Sequence, residues 1–293
     1  MKYQFMQEHI NEFKIERMSK TLKVSSSGYY AYVTRPPSKR SQVNQELSTT
    51  ISEIYQSSRG TYGSPRIHAE LKANGINCSR KRVAKLMKAS GLMAKMKRRF
   101  KITTKADPRA LPALNLLKQD FTSQKPNRRW VADFTYVATQ EGWLYVAVVM
   151  DLFSRAIVGL YMSDRMTNDL VIKALEQAIN HRNPEAGLIH HSDKGCQYTS
   201  EAFQVLLKSN NIICSMSGVG NCYDNAAMES FFHTLKTEHI YFERYETREQ
   251  AKRSIFDYVE VFYNRTRRHS SLGYLSPMVF EQRGHKQQEG FYS

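Results

Sequence analysis

No apolar run in the 293 residues approaches the roughly 20 that a membrane span needs. The start, Met-Lys-Tyr-Gln-Phe-Met-Gln-Glu-His, lacks the continuous apolar segment of a signal peptide. A cytosolic chain is the expectation. Cysteine is sparse: Cys78, Cys196, Cys214 and Cys222 form no Cys-x-x-Cys pair and read as reduced thiols. His190 and His191 lie close to Cys196, but no second ligand pair at zinc-finger spacing follows, which argues against structural zinc. Acid is scarce in one part of the chain only. Residues 1–122 carry 24 Lys+Arg against 8 Asp+Glu (+16), whereas residues 123–293 carry 19 against 19. No basic amphipathic helix shows Trp or Phe on its apolar face, so the excess charge points to nucleic acid rather than to a membrane surface.

A hydrophobic content of 41% is enough for packed cores. Residues 1–41 read as a helical segment that turns at Val24-Ser-Ser-Ser-Gly28 into Tyr29-Tyr-Ala-Tyr32, where the tyrosines are expected to pack in a small core, and Pro36-Pro37 ends it. Residues 42–92 read as a helix-turn-helix domain. A helix over about 42–56 carries Leu47, Ile51 and Ile54 at helical spacing; Ser64 and Pro65 start the next, and Asn74-Gly75 closes it. Ser79 then caps a basic helix over 80–90, with Val83, Leu86 and Met87 inward and Arg80, Lys81, Arg82, Lys85 and Lys88 outward. This second helix is the candidate for the major groove, although helix pairs joined by a glycine turn are common and basic helices often merely face solvent. Residues 93–122, including Lys95-Met-Lys-Arg98-Arg99, read as a basic linker able to lie along phosphates.

From Arg129 the period changes. Strands are expected over 131–139, 144–151 and 156–162, then a helix over 168–181, a strand over 187–190, a helix over 200–209, a strand over 212–216, a helix over 225–238 and a last helix over 247–264. The order βββαβαβα predicts an α/β domain over 123–285, with a mixed five-stranded sheet and flanking helices.

Three acids stand in short motifs of this domain: Asp133 in Trp-Val-Ala-Asp-Phe-Thr-Tyr, Asp193 in His-His-Ser-Asp-Lys-Gly, and Glu229 in Tyr-Asp-Asn-Ala-Ala-Met-Glu-Ser-Phe-Phe, with 35 residues between the last two. The predicted elements place Asp133 in the first strand, Asp193 past the end of the fourth and Glu229 one turn into the helix after the fifth. Neighbouring first and fourth strands would bring two carboxylates together, and the helix would add the third. Three such acids suit two Mg²⁺ ions, which favour oxygen ligands and can clamp the attacking and leaving oxygens of an in-line displacement at phosphorus. Taken singly, each acid has an ordinary explanation as a strand-end, turn or surface-helix residue. Glu229, His233 and Lys236 share one helix face at i, i+4 and i+7, opposite Met228, Phe231, Phe232 and Leu235.

These motifs, with Gly220-Asn-Cys-Tyr-Asp-Asn-Ala-Ala-Met-Glu-Ser-Phe-Phe-His-Thr-Leu-Lys236 and Tyr263-Asn-Arg-Thr-Arg-Arg-His-Ser-Ser-Leu-Gly-Tyr-Leu-Ser-Pro277, resemble the second-frame (OrfB) product of IS3-family insertion sequences. These are DDE transposases of the retroviral integrase superfamily. The resemblance implies an RNase H-like catalytic domain, Mg²⁺ or Mn²⁺ held as two ions by Asp133, Asp193 and Glu229, and DNA cleavage by water followed by strand transfer from a 3′-hydroxyl. It implies Lys236 as a contact near the scissile phosphate. The implied partners are double-stranded DNA, as terminal inverted repeats and target, further copies of the chain on paired ends and the upstream first-frame product, within the bacterial nucleoid. No sustained leucine heptad is found, so end binding or assembly is expected to draw on that upstream segment.

His191 and Asn225 flank the presumed site and are candidates for substrate contact or for structural hydrogen bonding; His233 is a candidate DNA contact. Arg66 belongs to the first helix of the pair, and Arg265, Arg267, Arg268 and His269 form a cationic group suited to flanking or target DNA or to a solvated tail. Two other functions are open: a regulator that occupies DNA ends without catalysis, and a structure-selective nuclease that cuts without joining.

Overall fold

The computed structural model describes residues 1–36, 38–95, 114–218 and 225–289. It forms two compact units, Met1–Glu53 and Ile54–Ser293.

The first unit contains α1 (Lys2–Glu8), α2 (Ile15–Leu22), α3 (Ser26–Thr34) and the start of α4 (Lys39–Ser57). The expected turn at 24–28 is the entrance to α3: Ser25 is extended, and its hydroxyl accepts the Gly28 N–H at 3.0 Å. Met6, Met18 and Tyr29 are buried together, and Tyr3, Ile15, Leu22 and Val24 pack around them. Tyr30 and Tyr32 stay about half exposed, so the tyrosine core is Tyr29 alone.

In the second unit, α5 (Ser64–Ala73) and α6 (Arg80–Ala89) form the helix pair. Gly63, not Ser64, is the cap of α5, which puts Ser64 and Pro65 in its first turn. Gly75, at φ +77°, closes it in the left-handed region that favours glycine. Ser79 caps α6 by accepting the Arg82 N–H at 3.2 Å, and Val83 and Met87 form the buried stripe.

The sheet consists of β1 (Arg129–Thr139), β2 (Gly142–Asp151), β3 (Ile157–Ser163), β4 (Ile189–Ser192) and β5 (Ile213–Met216), in the order β3-β2-β1-β4-β5. β1–β2 and β2–β3 pair antiparallel, while β1–β4 and β4–β5 pair parallel. Trp130, Ala132, Ala147, Val149 and Val158 make one core with α7 (Asn168–Arg182) and α8 (Glu201–Ser209). The alternate residues Val131, Val137, Leu144, Val146 and Val148 are buried as well, so both faces are covered. α9 (Ala226–Glu238) packs on β1, and α10 (Arg248–Phe256) packs on β1 and β2.

α7 approaches β3 so closely at Gly159 that an added Cβ would overlap the Ala174 carbonyl oxygen and lie 3.1 Å from the Ala178 methyl. Overlap with backbone cannot be relieved by a rotamer change. Gly159→Ala is therefore expected to destabilise by about 1–3 kcal/mol in urea unfolding, and an unchanged midpoint would refute this account of the contact.

The predicted last helix is two segments: α10, then a π-helical stretch over Asp257–Tyr263. Beyond it, Asn264 both donates to the Ile157 carbonyl and accepts the Ile157 N–H, each at 2.9 Å, as a neighbouring strand would. α11 (Pro277–Glu289) was not anticipated, although proline at a first helical position is its sequence signal. It is tied to the core by Glu281, which accepts from Ser154 at 2.5 Å and from Arg182 at 2.8 Å.

Candidate active site

β1 and β4 run parallel with Val131 opposite His191. Two residues further along each chain come Asp133 and Asp193, so the common direction of the strands brings both carboxylates to one level. This is where the sheet changes from antiparallel to parallel pairing. Asp193 Oδ1 accepts the Gly195 N–H at 3.0 Å, and Asp133 Oδ1 accepts the Phe134 N–H at 2.8 Å. A Cβ at residue 195 would come within 3.0 Å of that Asp193 oxygen, so glycine lets the loop fold back on the carboxylate. Glu229 stands exposed in the first turn of α9. Met228, Phe231, Phe232 and Leu235 are buried behind it, as their spacing predicts.

Burial is the largest influence on Asp133 and drives its proton affinity well above the carboxylate range; the Asp193 charge adds to this and Glu229 adds less. The Phe134 N–H and the Lys236 ammonium oppose the rise. Asp193 is raised by burial against its bond from Gly195, and Glu229 by desolvation. Lys236 is lowered by burial, and the Asp133 charge counters this. Acids crowded in this way fit a divalent cation, whose charge would offset their repulsion. Yet among the described residues no three Asp, Glu, His or Cys side chains converge on one ion position. Asp133 and Asp193 act on each other, and Glu229 acts on Asp133 without closing a three-ligand cluster among the described residues.

Supporting residues divide sharply. His191, a candidate DNA contact, is fully buried: Nδ1 lies 2.8 Å from the Ser215 hydroxyl and Nε2 3.3 Å from that of Ser217. These contacts bridge β4 to β5 and to the residue just beyond its end. Asn225 is the buried residue before α9, and its Oδ1 has no partner among the described residues. His233 remains partly exposed on the Glu229 face. Sequence reading missed Tyr198, whose buried hydroxyl has no partner among the described residues and whose proton affinity is raised by burial and by the Asp133 and Asp193 charges.

Three family models cover most of the chain: an HTH-like domain over residues 42–100, and integrase core domains over 123–222 and 229–284. The chain is 43% identical over 283 residues to the transposase InsF for insertion sequence IS3A of Escherichia coli strain K12, covering 96% of this chain and 98% of that one. It is 46% identical over 269 residues to a 31 kDa protein of insertion element IS600 of Shigella sonnei, covering 92% and 99%. The chain belongs to the IS3-family transposases. The fold expectation stands with it: a helix-turn-helix region followed by a mixed five-stranded RNase H-like integrase core. Among solved structures, the HTLV-2 integrase catalytic core in complex with magnesium matches with a TM-score of 0.43 and 17% identity, over 54% of this chain and 97% of that one.

In this IS3-family transposase the cationic group after the π-helical stretch is not one surface. Arg265 is exposed, but Arg267 is only 4% exposed and grips Glu238 through Nε and Nη2, both at 2.7 Å. Arg66 donates to the same carboxylate at 3.2 Å, and the Tyr258 hydroxyl donates at 3.1 Å. Arg268 pairs with Glu70 and donates to the Tyr274 carbonyl at 2.7 Å. Arg267, expected on DNA, is thus held inside the unit, because a buried guanidinium requires an acid partner, while Arg66 and Arg268, expected there too, are partly exposed and paired with Glu238 and Glu70. His269 is pushed far down by burial and by Arg267. Of the α6 group, Arg80, Lys81 and Lys85 are exposed and Arg82 is partly so. Arg98, Arg99 and most of the expected linker lie outside the described residues.

The transposase also buries neutral imidazoles. Burial lowers His190 to about 3, aided by the neighbouring His191, and lowers His239 to about 4, aided by Arg59 and Lys95. The unfolded chain takes up these protons near pH 6.5, so their contribution is complete above that value and is lost as pH falls towards the folded values. Near pH 5 each is expected to cost about 2 kcal/mol of stability. Urea unfolding of wild type and His239→Gln at neutral and acid pH checks this. Equal acid sensitivity of the two proteins would sink the assignment to His239.

Proposed function

We propose that this transposase cuts and joins DNA at insertion-sequence ends, with Asp133, Asp193 and Glu229 holding two Mg²⁺ or Mn²⁺ ions. The observation that carries this is the pair of aspartates, Asp133 within β1 and Asp193 just past the end of the parallel β4, both raised in proton affinity by burial and Asp133 by the neighbouring acids as well. Bound cations would supply charge for the attacking and leaving oxygens. In cleavage, water oxygen bonds to phosphorus, the P–O3′ bond breaks and a 3′-hydroxyl leaves. In joining, that 3′-hydroxyl attacks a target phosphodiester and the target's O3′ leaves, so the number of phosphodiesters is conserved. Lys236, whose charge acts on Asp133, would hold the phosphate beside the aspartates. The exposed Arg80, Lys81 and Lys85 suit α6 to phosphates along a groove. Copies of the chain on paired ends, and the first-frame product, complete the proposed assembly.

Labelled end duplex, Mg²⁺ and purified chain test the reading. Wild type should nick and join, whereas Asp193→Ala should shift the duplex without doing either. The incomplete convergence of Glu229 favours one competing reading, a regulator that occupies ends. Wild type that binds but never nicks would establish that reading instead.

A further inference from the structure

Tyr136 and Trp143 are 46% and 50% exposed and in contact with each other. Their centroids lie 4.9 Å apart at 79°, so the pair presents a ring face and a ring edge. Both stand on paired strands: Tyr136 is opposite Tyr145, and Trp143 is opposite the small Ala138. The Trp143 carbonyl accepts from Arg248 Nε at 3.0 Å, which anchors the backbone beneath the indole. Lys236 connects this pair to the aspartates, since its ammonium lies 5.5 Å from the Tyr136 ring centroid and its charge acts on Asp133.

We infer that Tyr136 and Trp143 form a stacking platform for an unpaired nucleobase of the DNA strand whose phosphate meets Lys236 and the aspartates. This rests on the proposed strand chemistry and adds the site that receives the base. Tyr136 follows Asp133 by three positions on β1, about 10 Å along the strand and on the other face of the pleat, and Lys236, against the Tyr136 ring, is what links the two. A π-face beside a cation is the chemistry that takes a base together with its phosphate, and bases in a duplex interior hide their faces. The occupant is therefore an unpaired or frayed nucleotide at the reacting end.

The chain has two tryptophans, and Trp130 is fully buried, so quenching by DNA reports Trp143. Full-length protein is titrated with a labelled single-stranded oligodeoxynucleotide, its duplex, and the strand with one abasic position. The single strand should quench fluorescence, and the abasic strand should quench less. Tyr136→Ala and Trp143→Ala should weaken single-strand binding by about tenfold or more while duplex binding falls far less; Tyr136→Phe and Trp143→Phe should restore it. Equal losses for both DNAs, or none, overturn the platform. So does a change of oligomeric mass in Trp143→Ala with unaltered single-strand affinity, which would make the pair a contact between copies. Quenching retained while wild type fails to nick overturns the catalytic reading alone, and joining without quenching overturns the platform alone.

Discussion

Asp133→Asn is expected to eliminate strand joining and, with divalent cations chelated, to make the protein more stable than wild type. The carboxylate at 133 is buried and faces the charges of Asp193 and Glu229, with Lys236 as a partial offset. Its folded proton affinity is raised above the unfolded value, so ionisation opposes folding. That penalty is fully present above the raised value and disappears as pH falls towards the unfolded one near 4. Asparagine keeps the shape and removes the charge, which gives a gain of about 1–3 kcal/mol at neutral pH that fades in acid. Mg²⁺ should raise the melting temperature of wild type, because a ligand of the folded state stabilises by mass action, and should do little for the variant. Thermal melts with and without Mg²⁺, beside a joining assay, measure both effects. An Asn variant that still joins strands would remove Asp133 from the metal site.

Glu238→Ala is expected to lower stability by about 3–5 kcal/mol, because it leaves the deeply buried Arg267 guanidinium uncompensated. Arg267 has the Glu238 carboxylate as its bidentate partner, and Arg66 and the Tyr258 hydroxyl share that carboxylate. Glu238→Gln should recover part of the loss, since an amide oxygen still accepts but carries no charge. Replacing Glu238 and Arg267 together by Leu and Met should cost much less than the single change, because no buried charge is then left alone. The double-mutant cycle from urea unfolding gives the coupling directly. Additive single effects would show that the pair contributes no coupling.

Period and spacing carried the core of the fold. The change from helical to alternating pattern at Arg129 marked β1 within two residues of its observed start, and Ser79 marked the start of α6 because a cap is a local event. The division of α10 from its π-helical continuation was not legible: both present the same apolar face, and only the packing of Tyr258, Phe262 and Tyr263 separates them. α11 has a proline start but little of the patterning that marks a helix, and its anchorage through Glu281 to Ser154 and Arg182 is a long-range matter.

By itself the sequence singled out Asp133, Asp193 and Glu229 and assigned them to a strand, a strand end and a helix, because motif and periodicity are properties of neighbouring residues. It also placed the excess positive charge before the catalytic domain. Only the tertiary structure decided which charged groups face outward. For His191 spacing leaves substrate contact and structural hydrogen bonding both open, and Ser215 and Ser217 at its two nitrogens select the second; for Arg267 it leaves DNA or a solvated tail open, and Glu238, 29 residues away, meets it instead. A buried charge is stable only beside its partner, and the fold, not the local spacing, brings that partner.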